Sequence, residues 1–204
     1  MIDNTVTKID SAESHAHALL CLLAEAQHLK QLPRTGWLFA NVVDPESVAA
    51  HTCLTAMIAL FLGDIINLDW ATQELSAPLD MERVLRLALI HDLGESILTD
   101  LPWRSSELLG STVKHTAEED AMRQLSAKLP TGAALLNTWR EYDAKSSPEA
   151  QLVKDADRLD MVYQALAYER RGHTNLDEFW QENAWNFVAS RELFELLCQQ
   201  RAAQ

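Results

Sequence analysis

Four side chains of the kind that hold a divalent cation are spread along this sequence: His51 in PESVAAHT, the doublet His91-Asp92 in LALIHDLGE, and an aspartate in LVKDADRLDM. Two imidazoles and two carboxylates make a nitrogen–oxygen ligand set that suits Mn, Co, Fe or Mg, and the ligand types alone do not choose among these metals. The gaps between the three segments are too long for a local loop to close around one ion. Only packing of separate elements can bring them together.

Those elements read as helices. The six Gly and six Pro fall mostly between segments with a 3.6-residue apolar period. Helices are expected at about 12–32, 46–66, 80–93, 105–128, 132–145 and 148–171, with one or two more over 176–202. No run alternates apolar and polar residues with β-branched enrichment, so no sheet is expected. The expectation is an all-α bundle of about six to eight helices, one domain over 1–204. Its motif-bearing core covers about 29–171, and C-terminal helices rich in Phe179, Trp180, Trp185 and Phe187 complete it. Asp44-Pro45-Glu46 reads as the capped start of the second helix and Ser147-Pro148-Glu149 as that of the sixth. Gly172 after Arg170 and Arg171 reads as its end.

Each candidate ligand falls where its helix should face inward. His51 shares a stripe with Leu54, Ile58, Phe61 and Ile65. A lone histidine there is ordinarily a hydrogen-bonded core residue, and only the company of the others makes it a ligand. His91 continues the row of Val84 and Leu87, while Asp92 follows Leu85 and Ala88-Leu89 on the adjoining face. Adjacent helical residues point about 100° apart, so one ion can reach both only from between them, near the helix end. An aspartate in a last helical turn opposes the helix dipole, and a dication beside it removes that penalty. Three acids compete in the third segment. Asp155 aligns with Gln151 and Arg158, which reads as a solvated face; Asp157 aligns with Val153, Met161 and Gln164; Asp160 lies close enough to that face to support it. The pattern favours Asp157, because an inward carboxylate needs a cation or a hydrogen-bond network.

The bulk numbers exclude other classes. A formal net charge of -13 argues against a nucleic-acid polymer and disfavours an anionic membrane. A small anionic substrate stays open, because a bound dication can dominate the local field. Cys21, Cys53 and Cys198 are scattered and read as ordinary buried or half-buried thiols in a reducing compartment. The N-terminus lacks the pattern of a secretory leader, and the apolar stretch around Leu54 to Leu62 is too short to span a bilayer. A cytoplasmic location is expected.

The H…HD…D set resembles the HD-domain metal-dependent phosphohydrolases, all-helical proteins that bind a divalent cation through this tetrad. LPRTGW, ESVAAHT, HDLGESILTDLP and KDADRLDM followed by Tyr168-Glu169 are similar to the 5'-deoxynucleotidase branch, over about Leu29 to Glu169. The resemblance implies one metal held by His51, His91, Asp92 and Asp157, and attack on a nucleoside 5'-monophosphate supported by Glu95 and Asp100. In that scheme Glu95 polarises groups around the phosphate, and Asp100 is the better placed to activate water or protonate the leaving 5'-oxygen; the resemblance does not fix which acid takes which role. Trp37 would pack by the sugar and favour deoxyribose. Bacterial members carry Arg immediately before that tryptophan, where this chain has Gly36, so Arg34 would make the phosphate contact from a shifted loop. A homodimer is implied by the resemblance only. The competing readings are another phosphate ester (a cyclic dinucleotide or a nucleoside triphosphate) and a nucleotide-sensing module without turnover. A triphosphate calls for several basic pocket residues, and few are expected near these motifs.

Overall fold

Two long helices, one carrying the buried His51 and Thr55 and the other the buried Asp155 and Asp160, lie against each other. The structure, a computed structural model, describes residues 4–181 and 184–203. Helix α1 (Asn4–Ala26) runs through a short 3-10 turn, Gln27–Lys30, into α2 (Thr35–Phe39). Then come α3 (Val48–Leu68), α4 (Met81–Ile90), α5 (Glu95–Leu98), α6 (Trp103–Leu109), α7 (Ser111–Ser126), α8 (Gly132–Ala144), α9 (Pro148–Glu169) and α10 (Val188–Ala202). Among the described residues seven helices have ten residues or more, and there is no strand beyond an isolated bridge between Pro33 and Ser47. The all-α expectation holds. The expected domain span of 1–204 includes residues 1–3, 182, 183 and 204, which lie outside the described residues.

Local chemistry sets the starts. Ser47 Oγ accepts from the amide of Ala50, Asp80 Oδ1 from Arg83, and Ser147 Oγ from Ala150, each cap contributing about 1 kcal/mol. The cap of α3 is therefore Ser47 and not Asp44. Glu46 is freed for another use, since its amide donates to the Tyr168 hydroxyl and its carboxylate accepts from Trp37 Nε1. The single helix expected over 105–128 is two, because Gly110 adopts φ +82, a conformation that ends α6 and redirects α7.

α3 lies along α9 and α4, α8 and α10 close on α9, and α7 backs α8. The buried row of α3 is His51, Thr55, Ala59, Leu62 and Ile66, whereas Phe61 and Ile65, expected inward, are exposed. The helix is apolar on almost every side, with mean hydropathy 1.7 in its best window, so the period could not single out a face. By length and composition it could cross a bilayer, contrary to the short apolar stretch expected, yet it is the central helix of the bundle. Leu89 of α4 also faces out, beside the fully buried Ala88. Phe179, Trp180 and Phe187 are buried with the α9–α10 core and Trp185 packs against it, as expected. Cys53 is exposed, and Cys21 and Cys198 are half-buried.

Candidate metal centre and its cavity

The packing of α3, α4 and α9 clusters the four candidate ligands: His51, His91 and Asp92 offer atoms within 4.8 Å of one another, and Asp157 joins them through His51. His51 Nε2 lies 3.2 Å from His91 Nε2, 3.2 Å from Asp157 Oδ1 and 3.4 Å from Asp92 Oδ2. His91 Nε2 is 3.1 Å from the same Asp92 oxygen. α4 stops at Ile90, so His91 and Asp92 occupy a tight turn and not a continuing helix, which lets adjacent side chains converge.

Neighbours fix both rings. His91 Nδ1 donates to the Ala88 carbonyl at 2.7 Å, and His51 Nδ1 lies 2.5 Å from Asp160 Oδ2. With both Nδ1 atoms so engaged, the imidazoles in their neutral forms would present lone pairs to each other across 3.2 Å, with two carboxylate oxygens beside them. Such a set of acceptors requires positive charge at its centre, and this is the test that a divalent cation fits. Burial and the nearby Arg34 oppose a charge on His51, but Asp157, Asp160 and Asp92 outweigh them and hold its pKa well above the usual histidine range. Burial works against ionised Asp92 and Asp157 as well; the two imidazoles more than offset it for Asp92, and chiefly His51 for Asp157, so both stay below the usual carboxylate range.

Of the competing acids, Asp157 is the one that meets the His51 Nε2 atom, and the Tyr142 hydroxyl donates to its other oxygen at 3.0 Å. Asp160, fully buried, stands behind His51. Asp155 does not lie on a solvated face. It is fully buried and accepts from the amides of Asn186 and Phe187 and from the Asn186 side chain, anchoring the segment before α10. Its partners are more than 30 residues away, so nothing local to KDADRLDM announced them.

A cavity of about 480 Å³ opens over this cluster. Arg34, Trp37, Glu95 and Asp100 all line it, together with His91, Asp92 and Asp157. The loop carrying Arg34 is pinned to the start of α3 by the amide of Arg34 on the Glu46 carbonyl and that of Val48 on the Leu32 carbonyl. Its guanidinium reaches Asp92 Oδ2 at 3.3 Å, so the arginine two positions before Gly36 does arrive at the site. Burial works against its charge, and Asp92, Asp157, Asp100 and Glu95 more than restore it. Asp100 Oδ2 accepts the Thr35 amide at 2.5 Å, while Thr35 Oγ1 donates to the Asp100 carbonyl. Thr99 just before it holds φ +70, a strained value for a β-branched residue. Burial, Asp92 and Asp100 push the Glu95 carboxyl up to about 10, and its buried Oε2 has no hydrogen-bond partner among the described residues. Trp37 is 1% exposed, stacked on Phe179 at 4.2 Å and edge-on to Tyr168, so it is a rigid wall and not an open platform.

The expectation of few basic groups here is corrected. Lys114, Lys145 and Lys154 also line the cavity, brought in by α7, the end of α8, and α9. Tyr142 is the other group the sequence reading missed, since only the packing of α8 on α9 sets it beside Asp157.

Residues 26–193 match the HD-domain family. The protein named 5'-deoxynucleotidase HDDC2 from Homo sapiens is 35% identical over 84% of this chain and 79% of its own length. That from Danio rerio is 39% identical over 69% of this chain and 64% of its own length. A crystallised protein of Pyrococcus horikoshii OT3 is 36% identical and superposes with a TM-score of 0.74 over 91% of this chain and 99% of that one.

Proposed function

We propose, for a chain that belongs to the HD-domain family, that it hydrolyses deoxynucleoside 5'-monophosphates to nucleoside and phosphate as a metal-dependent phosphomonoesterase. The observation that carries this reading is the facing pair of imidazole Nε2 atoms, ringed by Asp92 and Asp157, at the base of a cavity that also holds Arg34, Glu95 and Asp100. The names of the relatives support the substrate class.

His51, His91, Asp92 and Asp157 would hold one divalent ion, Mn, Co, Fe or Mg, whose occupancy follows availability. When bound, such an ion supplies Lewis acidity toward a phosphoryl oxygen and toward a water molecule. Arg34 binds phosphate oxygens with its planar fork and offsets the charge that grows on them. Asp100, oriented by the Thr35 amide, accepts the proton of the attacking water. Burial and the neighbouring acids favour the protonated form of Glu95 in the metal-free site, and a carboxyl kept in that form would donate toward the phosphate and the leaving 5'-oxygen. Trp37, wedged between Phe179 and Tyr168, gives the sugar side of the cavity a fixed shape. A sugar hydroxyl pointed at that wall would lose its hydration without gaining a partner, which favours deoxyribose.

The remaining features fit one domain over 1–204, working in the cytoplasm without nucleic-acid or membrane partners. α3 exposes Met57, Phe61, Ile65 and Leu68 beside a groove lined by Leu29 of the 3-10 turn and Leu85 and Leu89 of α4. A second copy of the chain would cover this face in a homodimer.

Phosphate release from paired deoxy- and ribonucleoside 5'-monophosphates tests the reading, with chelated protein resupplied with Mn, Co or Mg and Asp92→Asn alongside. Metal-dependent release that prefers the deoxy member and disappears in the variant is expected. No release with any of these metals would overturn it.

A further inference from the structure

The cavity holds three lysines besides Arg34, and their surroundings differ. Lys114 Nζ donates to the Leu101 carbonyl at 3.1 Å and lies 3.6 Å from Glu118, so its charge is already used. Lys145 ends α8 in a left-handed conformation and is exposed to water. Lys154 is different. It sits on α9 one turn before Asp157 and is half-buried, with its ammonium 3.6 Å from the centroid of the Tyr142 ring. Among the described residues no carboxylate lies within ion-pair distance of it. A half-buried ammonium held over an aromatic face is oriented without a direct ion pair, and it favours an anion that enters beside it.

We propose that Lys154 is a substrate-binding residue that contacts the phosphate from the α9 side of the centre, opposite Arg34, which reaches it from the Asp92 side. The assignment rests on the phosphomonoesterase reading above. It accounts for three things together: the position of Lys154 in the cavity wall, its lack of an ion pair, and its platform on the same tyrosine that holds Asp157. Lysine is apt here because its ammonium is a compact point charge whose three donors rotate to follow an oxygen, while Arg34 supplies the rigid fork. Two cations flanking the phosphate would also let an acidic cavity admit an anion that Asp92, Asp100 and Asp157 would otherwise repel.

The probe is inorganic phosphate, the expected product, added to Mn-loaded protein. Binding is read as the phosphate-induced rise in thermal midpoint and as the inhibition constant against a deoxynucleoside 5'-monophosphate, with Mn content measured in parallel. Lys154→Met keeps the length of the stem and removes the charge; Lys154→Arg keeps the charge. In K154M phosphate should bind about ten-fold more weakly, the scale of one charge-assisted contact, with Mn content and the phosphate-free midpoint unchanged. K154R should recover most of that loss. Equal phosphate binding in K154M and wild type would overturn the assignment. So would a parallel loss of Mn, which would make Lys154 a support for Tyr142 and Asp157. Wild-type protein that releases no phosphate from any nucleotide defeats the functional reading instead, a result distinct from either of these.

Discussion

The Nδ1 atom of His51 lies 2.5 Å from Oδ2 of Asp160, and both side chains are fully buried. Asp160 therefore selects the tautomer and direction of the ring whose Nε2 faces the centre, without touching the centre itself. Its other oxygen, Oδ1, has no hydrogen-bond partner among the described residues, so the carboxylate is kept at the cost of a buried unsatisfied atom. Asp160→Asn preserves the shape and removes the charge. Metal affinity should fall about 10- to 100-fold, the usual effect of losing the group behind a ligating histidine. A metal titration with a fluorescent competitor measures this, and unchanged affinity would show that the ring is held by packing alone.

Cation binding should expel a proton from His51. In the metal-free protein Asp157, Asp160 and Asp92 hold its pKa well above the usual range, so the ring is protonated at neutral pH. A ligand nitrogen must be free of its proton. Calorimetric titration of metal in buffers of different ionisation enthalpy should show release of about one proton per ion at pH 7, and affinity should rise with pH. Binding heats independent of the buffer would contradict the reading.

Glu95 gives a stability signature in chelated protein. Its folded-state pKa of about 10 exceeds the ordinary glutamate value, so between these values the native state binds the proton that the unfolded chain releases. Its contribution is fully present below the unfolded pKa and is lost as pH rises toward 10. Glu95→Gln removes that dependence. The variant should match wild type in thermal midpoint near pH 4 and exceed it at pH 8 to 9. Parallel pH profiles would mean that Glu95 is ionised in the native state without penalty.

The clustering of His51, His91, Asp92 and Asp157 was legible because polar residues interrupting an apolar period stand out: His91 and Asp92 after Val84 and Leu87, and Asp157 after Val153. α3 was legible as a helix but not as a face, since a helix apolar on nearly every side carries no phase information, and Phe61 and Ile65 were placed inward on that account. Asp155 was misread because a carboxylate beside Arg158 looks solvated until residues 186 and 187 fold back over it. Tyr142 lies outside every motif, and Lys154, the first residue of KDADRLDM, is on a different helix; only the contact of α8 with α9 joins them.

Asp155 offers a control for the site variants. Its oxygens satisfy two backbone amides and the Asn186 side chain, all within 3.2 Å. Asp155→Ala leaves those donors unpaired and should destabilise the fold by roughly 1–3 kcal/mol. Metal affinity of the folded protein should not change, because among the described residues Asp155 makes no contact with the four proposed ligands. Urea unfolding and metal titration on the same sample separate the two effects. A loss of affinity without a loss of stability would bring Asp155 back among the ligands.

The exposed row of α3 tests the proposed dimer. Phe61 is 60% and Ile65 58% exposed, on a helix whose other side is wholly committed to the core. An apolar face this continuous is uncommon on a monomer that stays alone in water. Covering one phenylalanine side chain contributes about 1.5–3 kcal/mol, and a two-fold interface counts it twice. Phe61→Glu should therefore weaken self-association by about two to four orders of magnitude. Sedimentation velocity across a concentration series should show wild type as a dimer and the variant as a monomer, with metal content retained because Phe61 takes no part in the core around His51. Wild-type protein that sediments as a monomer at every concentration would leave the face to another partner.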